Sequence, residues 1–218
     1  NQKIIDLLNA NAGDQKYVNR SFFKDGIGVD DLTTLETMNK MSNLKKSKPK
    51  YNYGALLPHL LLNYISFKSG DDFENLLKDI FQNEAQIEKS VTFLKHKYRK
   101  KEEGIANSMF FATRYDYLRI AKSILDDWQN DTCVGKYLKI IYEQRINKNR
   151  KGYNTQSASQ YSKKYGGQFH FDIKGLTKKS ILAMDGFGGQ QVIVDFDTGR
   201  IIVVHSLDRH YNWKKIVY

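Results

Sequence analysis

Five histidines and one cysteine are the side chains of this chain best suited to hold a metal or begin nucleophilic chemistry. Among His59, His96, His170, His205 and His210, no two stand four apart with a glutamate between, and Cys133 has no second thiol to complete a ligand pair or an internal disulfide. That pattern gives no basis for metal catalysis. A phosphate-cradling Gly-x-x-x-x-Gly-Lys-Ser/Thr loop does not occur. Gly186-Phe187-Gly188-Gly189 stands before a strand-like stretch, whereas a dinucleotide fingerprint must follow a strand and open a helix. Glycines between two strands let backbone and ligand approach closely, and a simple bulge in the sheet uses them equally well.

The elements that would position such groups follow from periodicity. Ile4, Leu7 and Leu8 predict a short first helix, and Leu32, Leu35 and Met38 predict another within a largely polar, irregular stretch. Leu57, Leu60, Leu61 and Tyr64 form one apolar stripe. Phe73, Leu76, Leu77, Ile80 and Phe81 form a second, with Asp71 and Asp72 near its positive N-terminal end, so two helices are expected to join at Ser69-Gly70. The charged run Lys95 to Glu103 reads as a solvated loop. Thr113 and Asp116 have the spacing of a capping box, followed by Tyr117, Ala121, Ile124, Leu125 and Trp128 on one helix face up to Asn130-Asp131. Asp116 and Arg119 can pair on that helix, a structural role. A short helix is expected around Leu138 to Tyr142, and Asn147 to Lys164 reads as a loop.

From Tyr165 the period becomes strand-like. Gln168 to Ile173 alternates, Ser180 to Met184 is apolar, and Gln191 to Phe196 and Arg200 to His205 flank the turn sequence Asp197-Thr198-Gly199. Helices followed by an antiparallel meander predict an α+β fold, with residues 1–164 mainly helical and 165–218 forming antiparallel strands of one domain. With 218 residues the chain can bury a full core without metal or disulfide staples. The longest apolar runs, such as Leu60 to Leu62 and Ile201 to Val204, fall well short of the roughly 18 residues that a membrane-spanning helix needs. Thirty-five Lys and Arg against 24 Asp and Glu give a net charge of +11. That balance admits a nucleic-acid or anionic-surface binder as one reading, but the basic runs at Lys45 to Lys50, Lys95 to Lys101 and Lys148 to Lys151 join no recognisable nucleic-acid motif.

Four segments in order carry a family resemblance: Ile4-Ile5-Asp6-Leu7-Leu8-Asn9 with Ala12-Gly13; Tyr51-Asn52-Tyr53 before a leucine-rich helix and Ser69-Gly70; Ala112-Thr113-Arg114-Tyr115-Asp116-Tyr117-Leu118-Arg119-Ile120; and Gly186-Phe187-Gly188-Gly189-Gln190. Together they resemble the serine β-lactamase and penicillin-binding-protein-like hydrolases, closest to the class C β-lactamase-related esterases and amide hydrolases. The resemblance implies a β-lactamase/transpeptidase-like fold and hydrolysis of an ester or amide through an acyl-serine. It implies no cofactor and no metal, a small-molecule substrate, and a periplasmic or secreted location. It places the nucleophile helix, with its Ser-x-x-Lys, and the leading strands before Asn1, so the chain is read as the C-terminal part of an incomplete domain. Ser21 to Lys24, Ser42 to Lys45 and Ser47 to Lys50 also match Ser-x-x-Lys, but they follow the Leu7-Leu8-Asn9 segment, the wrong order. A lysine-rich chain of this length contains roughly one or two such matches by chance.

The resemblance assigns Tyr53 as the catalytic phenol, held near a lysine so that it can take the serine proton. The third residue of that motif is Ala55 in place of Asn or Ser, which removes a donor that would orient substrate. It assigns the backbone N–H of Phe187 to one half of an oxyanion hole, and Asp185, Gly186 and Gly188 to the substrate-binding edge. Met184-Asp185-Gly186 stands where the family carries a cation, so no charge meets a substrate carboxylate, which disfavours penicillin-like acids. The same departures fit a catalytically inactive relative that keeps the fold as a binding module. Oligomeric state is left open.

Overall fold

Residues 8–10, 51, 53, 56–88, 92–93, 110–148, 161–186, 188–208 and 211 are described by a computed structural model of the chain. It divides into two units, Asn1–Asp79 with Val91–Phe111, and Ile80–Ser90 with Ala112–Tyr218. The predicted helices around Ile4 and Leu32 fall outside the described residues, apart from Leu8 to Ala10.

In the first unit, α1 (Leu56–Ser69) ends at Gly70. Gly70 takes φ +54, a left-handed conformation that glycine adopts without steric cost. The chain then makes a 3-10 turn, Gly70–Asp72, and enters α2 (Phe73–Lys78), whose Phe73 is buried. The two helices therefore join at Ser69-Gly70 as the sequence predicts. The second stripe does not continue as regular α-helix to Phe81: after Lys78 the backbone widens into a π-helical turn, Asp79–Glu84, whose residues from Ile80 on are counted with the second unit. Two short strands, β1 (Thr92–Phe93) and β2 (Phe110–Phe111), pair antiparallel.

The second unit is built on α3 (Arg114–Gln129), α4 (Cys133–Glu143) and a six-stranded antiparallel meander: β3 (Ile146–Asn147), β4 (Ser162–Gly166), β5 (Phe169–Ile173), β6 (Ile181–Asp185), β7 (Gln191–Asp195) and β8 (Arg200–Val204). The architecture is α+β. Strand structure begins earlier than the predicted boundary at residue 165, because β3 and β4 occupy both ends of the stretch read as a loop. α4 is also longer than the Leu138 to Tyr142 stretch, starting at a Thr132 cap whose hydroxyl accepts from the Gly135 N–H.

α3 starts at the predicted capping box. The Thr113 hydroxyl accepts from the Asp116 N–H, and the Asp116 carboxylate accepts from the Thr113 N–H. The helix buries Ala121 and Leu125, α4 buries Leu138 and Ile141, and both pack on Phe171, Leu182, Val192, Val194 and Phe196 of the sheet. Trp128 stacks on Phe196 with ring centroids 4.1 Å apart and meets Tyr142 edge-on, and Tyr142 meets Phe171 edge-on. Removing such a side chain from water contributes about 1.5–3 kcal/mol each. α4 comes so close to α3 at Gly135 that a Cβ there would lie 1.9 Å from the Asp127 carbonyl oxygen.

The alternate residues of the sheet form a second cluster, Ile173, Ile181, Ala183, Ile193 and Val204, flanked by Tyr161, Leu176 and Ile202. Alternation breaks once, in β5. Asp172 takes φ +53, so Phe171 lies in the helix-side cluster and Ile173 in the other. Arg145 Nε at 3.1 Å and Lys164 Nζ at 3.3 Å pair with the Asp172 carboxylate.

Candidate functional site

Asp185 ends β6 and Gln191 opens β7, and the two residues pair across the strands. Gln191 is nearly fully buried and its side-chain amide donates to the Asp185 carboxylate. Between them the chain folds into a tight turn. The Gly186 N–H donates to the Gln190 carbonyl at 2.9 Å, and the Gly189 N–H to the Gly186 carbonyl at 3.1 Å. The Gln190 side chain lies over this turn and its Oε1 accepts from the Gly188 N–H at 2.9 Å. A Cβ on Gly186 or Gly188 would stand 2.5 Å from the Gln190 side-chain amide. Both glycines thus make room for the side chain of a glutamine later in the same loop, a reason for their identity that the sequence pattern alone does not show.

The structure gathers Asp185, Gly186 and Gly188 into this one turn. Phe187 lies outside the described residues, as does Ala55. Tyr53 belongs to the first unit, where it is 41% exposed. Met184, in the position where the resemblance calls for a cation, packs half-buried against the helix-side cluster.

The next turn of the meander is held by acids. The Asp195 carboxylate accepts from the Asp197 and Thr198 N–H groups and pairs with Lys179 at 2.9 Å. Burial pushes the Asp195 carboxyl up, but Lys179 and the Thr198 donors outweigh it and hold it below the usual carboxylate range. Gly199 at φ +68 closes the hairpin. In the α3 cap, burial likewise raises the Asp116 carboxyl, and Thr113, the Glu88 backbone and Arg119 outweigh it, leaving it lowered.

A second group of chemically capable side chains sits where β3, β4 and β5 meet. Lys148, Ser162 and His170 are 4%, 6% and 8% exposed. The Lys148 ammonium donates to Ser162 Oγ at 2.7 Å. Ser162 Oγ stands 3.2 Å from His170 Nδ1, and Lys148 Nζ stands 3.4 Å from the same nitrogen. The pairing Tyr165↔His170, with their rings edge-on at 5.1 Å, and the Lys148 N–H to Lys163 carbonyl bond fix the three strands in this register. Sequence reading passes over the group because its members are separated by 14 and 22 residues from Lys148, with no motif spacing.

Among the described residues no three His, Cys, Asp or Glu side chains gather as metal ligands, and no helix is long and apolar enough to cross a membrane. Comparison with protein-family models and with curated proteins finds no match to this chain.

Proposed function

We propose that the chain is part of a serine hydrolase domain of the β-lactamase-related type, which cleaves an ester or amide through an acyl-serine carried on sequence before Asn1. The observation that carries this reading is the turn at the end of β6. Gln190 lays its side chain over Gly186 and Gly188, and the N–H groups of both glycines are bonded to Gln190 at the end of the strand. A rigid backbone donor is what an oxyanion site requires, because its N–H must already point at the place where charge develops. In this reading the Phe187 N–H is that donor, Tyr53 is the phenol that relays the serine proton, and Asp185, Gly186 and Gly188 border the substrate. The α+β order, with a capped helix packed on an antiparallel meander, supports the same assignment without being specific to it.

One observation favours a second reading. Met184 packs toward the core, and the Gly186, Gly188 and Gly189 N–H groups are all used within the turn, which suits a binding module that retains the fold without turnover. Intact-mass spectrometry of the longest native gene product after a fluorophosphonate probe separates the two. The hydrolase reading expects a stoichiometric adduct on a serine preceding Asn1, formed more slowly in Tyr53→Phe. A folded full-length protein without that adduct refutes it and leaves the binding module.

A further inference from the structure

We infer that Ser162 is itself an activated nucleophile, able to accept an acyl group from a small activated ester, with His170 as its base and Lys148 as the cation that stabilises its alkoxide. This site is separate from the nucleophile of the proposed hydrolase and does not depend on that reading.

Three buried polar groups meet here, and each constrains the others. An ammonium has three donors and no acceptor, so the 2.7 Å contact between Lys148 Nζ and Ser162 Oγ has lysine donating into the serine oxygen. The serine hydroxyl hydrogen is then left for another acceptor, and His170 Nδ1 stands 3.2 Å away. To accept from Ser162, Nδ1 must be the unprotonated nitrogen of a neutral ring, which is the tautomer the proposed role requires. The result is a directed chain, Lys148 to Ser162 to His170. A serine whose hydroxyl points at an imidazole and whose oxygen receives a cation is the arrangement that makes this weak nucleophile reactive.

The location adds force. Each member is over nine-tenths buried, and charge interactions strengthen where water is excluded. The cation 2.7 Å from Oγ therefore favours the alkoxide more than it would in solvent. The group is also rigid. It is built on β4, β5 and the residue that follows β3, with Lys148 tied by its own N–H to the Lys163 carbonyl and His170 braced edge-on by Tyr165. Serine and its base are thereby held near the geometry of proton transfer.

Ser162 Oγ attacks the carbonyl carbon of p-nitrophenyl acetate while its proton passes to His170 Nδ1. The Oγ–C bond forms and the bond from carbon to the p-nitrophenolate oxygen breaks. The departing phenolate, or water through it, takes the proton back from the ring, leaving an acetyl-serine.

The test is peptide mapping of the intact chain after brief exposure to p-nitrophenyl acetate, in buffer and in strong urea. The expected result is acetylation at Ser162 in the folded protein, lost in urea, where the three strands separate. His170→Gln should slow it roughly a hundredfold, the scale of a lost general base, and Lys148→Met should slow it as well. Circular dichroism of each variant establishes that it is folded. The folded and urea-treated wild-type samples decide whether the fold activates Ser162, so a variant that fails to fold leaves that part of the test intact. Absence of acetyl at Ser162 in the folded chain, equal labelling in urea, or an unchanged rate in folded His170→Gln would overturn the inference. A fluorophosphonate adduct upstream of Asn1, with or without acetyl-Ser162, bears only on the proposed function.

Discussion

Replacing Asp116 tests the α3 cap where local sequence and tertiary burial meet. Its carboxylate, 3% exposed, accepts from the Thr113 N–H at 3.3 Å, from the Thr113 hydroxyl at 2.6 Å and from Arg119 at 3.3 Å. Asp116→Ala removes the reciprocal half of the capping box, worth about 0.5–2 kcal/mol, and strands part-buried Thr113 donors, about 1–3 kcal/mol. Arg119 keeps Glu88 as a partner, so little is added for the lost ion pair. These terms overlap, and we predict a net loss of about 2–4 kcal/mol in urea unfolding at pH 7. The pH dependence supplies an independent check. The native Asp116 carboxyl is lowered, so its stabilisation is complete above the unfolded value of about 4 and is lost as pH falls through the native value. Asp116→Asn, which keeps an acceptor but no charge, should therefore lose less stability than wild type between about pH 5 and pH 2. A loss below about 1 kcal/mol in Asp116→Ala, or identical acid profiles for wild type and Asp116→Asn, would refute the reasoning.

Three further outcomes follow from packing. Gly135→Ala should lower the urea midpoint: the alanine gains about 1 kcal/mol of helix propensity, but its Cβ meets the Asp127 carbonyl at 1.9 Å and overpacking against backbone costs about 1–3 kcal/mol or more. An unchanged or raised midpoint would show that α3 and α4 separate freely. Gln190→Ala should cost about 1–3 kcal/mol by leaving the Gly188 N–H unaccepted; hydrogen exchange at Gly188 no faster than in wild type would contradict that role. Phe196→Ala should destabilise by about 3–5 kcal/mol and red-shift the emission of Trp128, which stacks on it 12° from parallel; emission at the wild-type wavelength would mean the indole does not depend on that contact.

Much of the second unit is legible in the sequence because it is local. The Thr113 to Asp116 cap closes within one helical turn, and a capping box needs nothing from elsewhere in the chain. The same holds for the hairpin at Asp197-Thr198-Gly199, where Asp195 takes the N–H groups of the turn and Gly199 takes the left-handed conformation. The start of α4 is harder to read. Val134, Tyr137 and Ile140 lie exposed, and Gly135 weakens the helical signal at the position where it permits close helix contact. β4 escapes for a different reason: Ser162-Lys163-Lys164-Tyr165 is polar by composition and becomes a strand because β3 and β5 pair with it on both sides.

The candidate site divides along the same line. The glycine run after Met184 is visible in the sequence, but its meaning is not, since only the folded turn lays the Gln190 side chain across Gly186 and Gly188. The assignments of Tyr53, Phe187 and Asp185 rest on resemblance. Lys148, Ser162 and His170 have no sequence signature at all. By itself the sequence determined the capped start of α3, the hairpin turn and the α+β order, since each depends on side chains within a few residues of one another. Only the tertiary structure decided which face of β5 carries Phe171 and which Ile173, and which serine meets a lysine and a histidine, because those outcomes depend on the register of strands far apart in the chain.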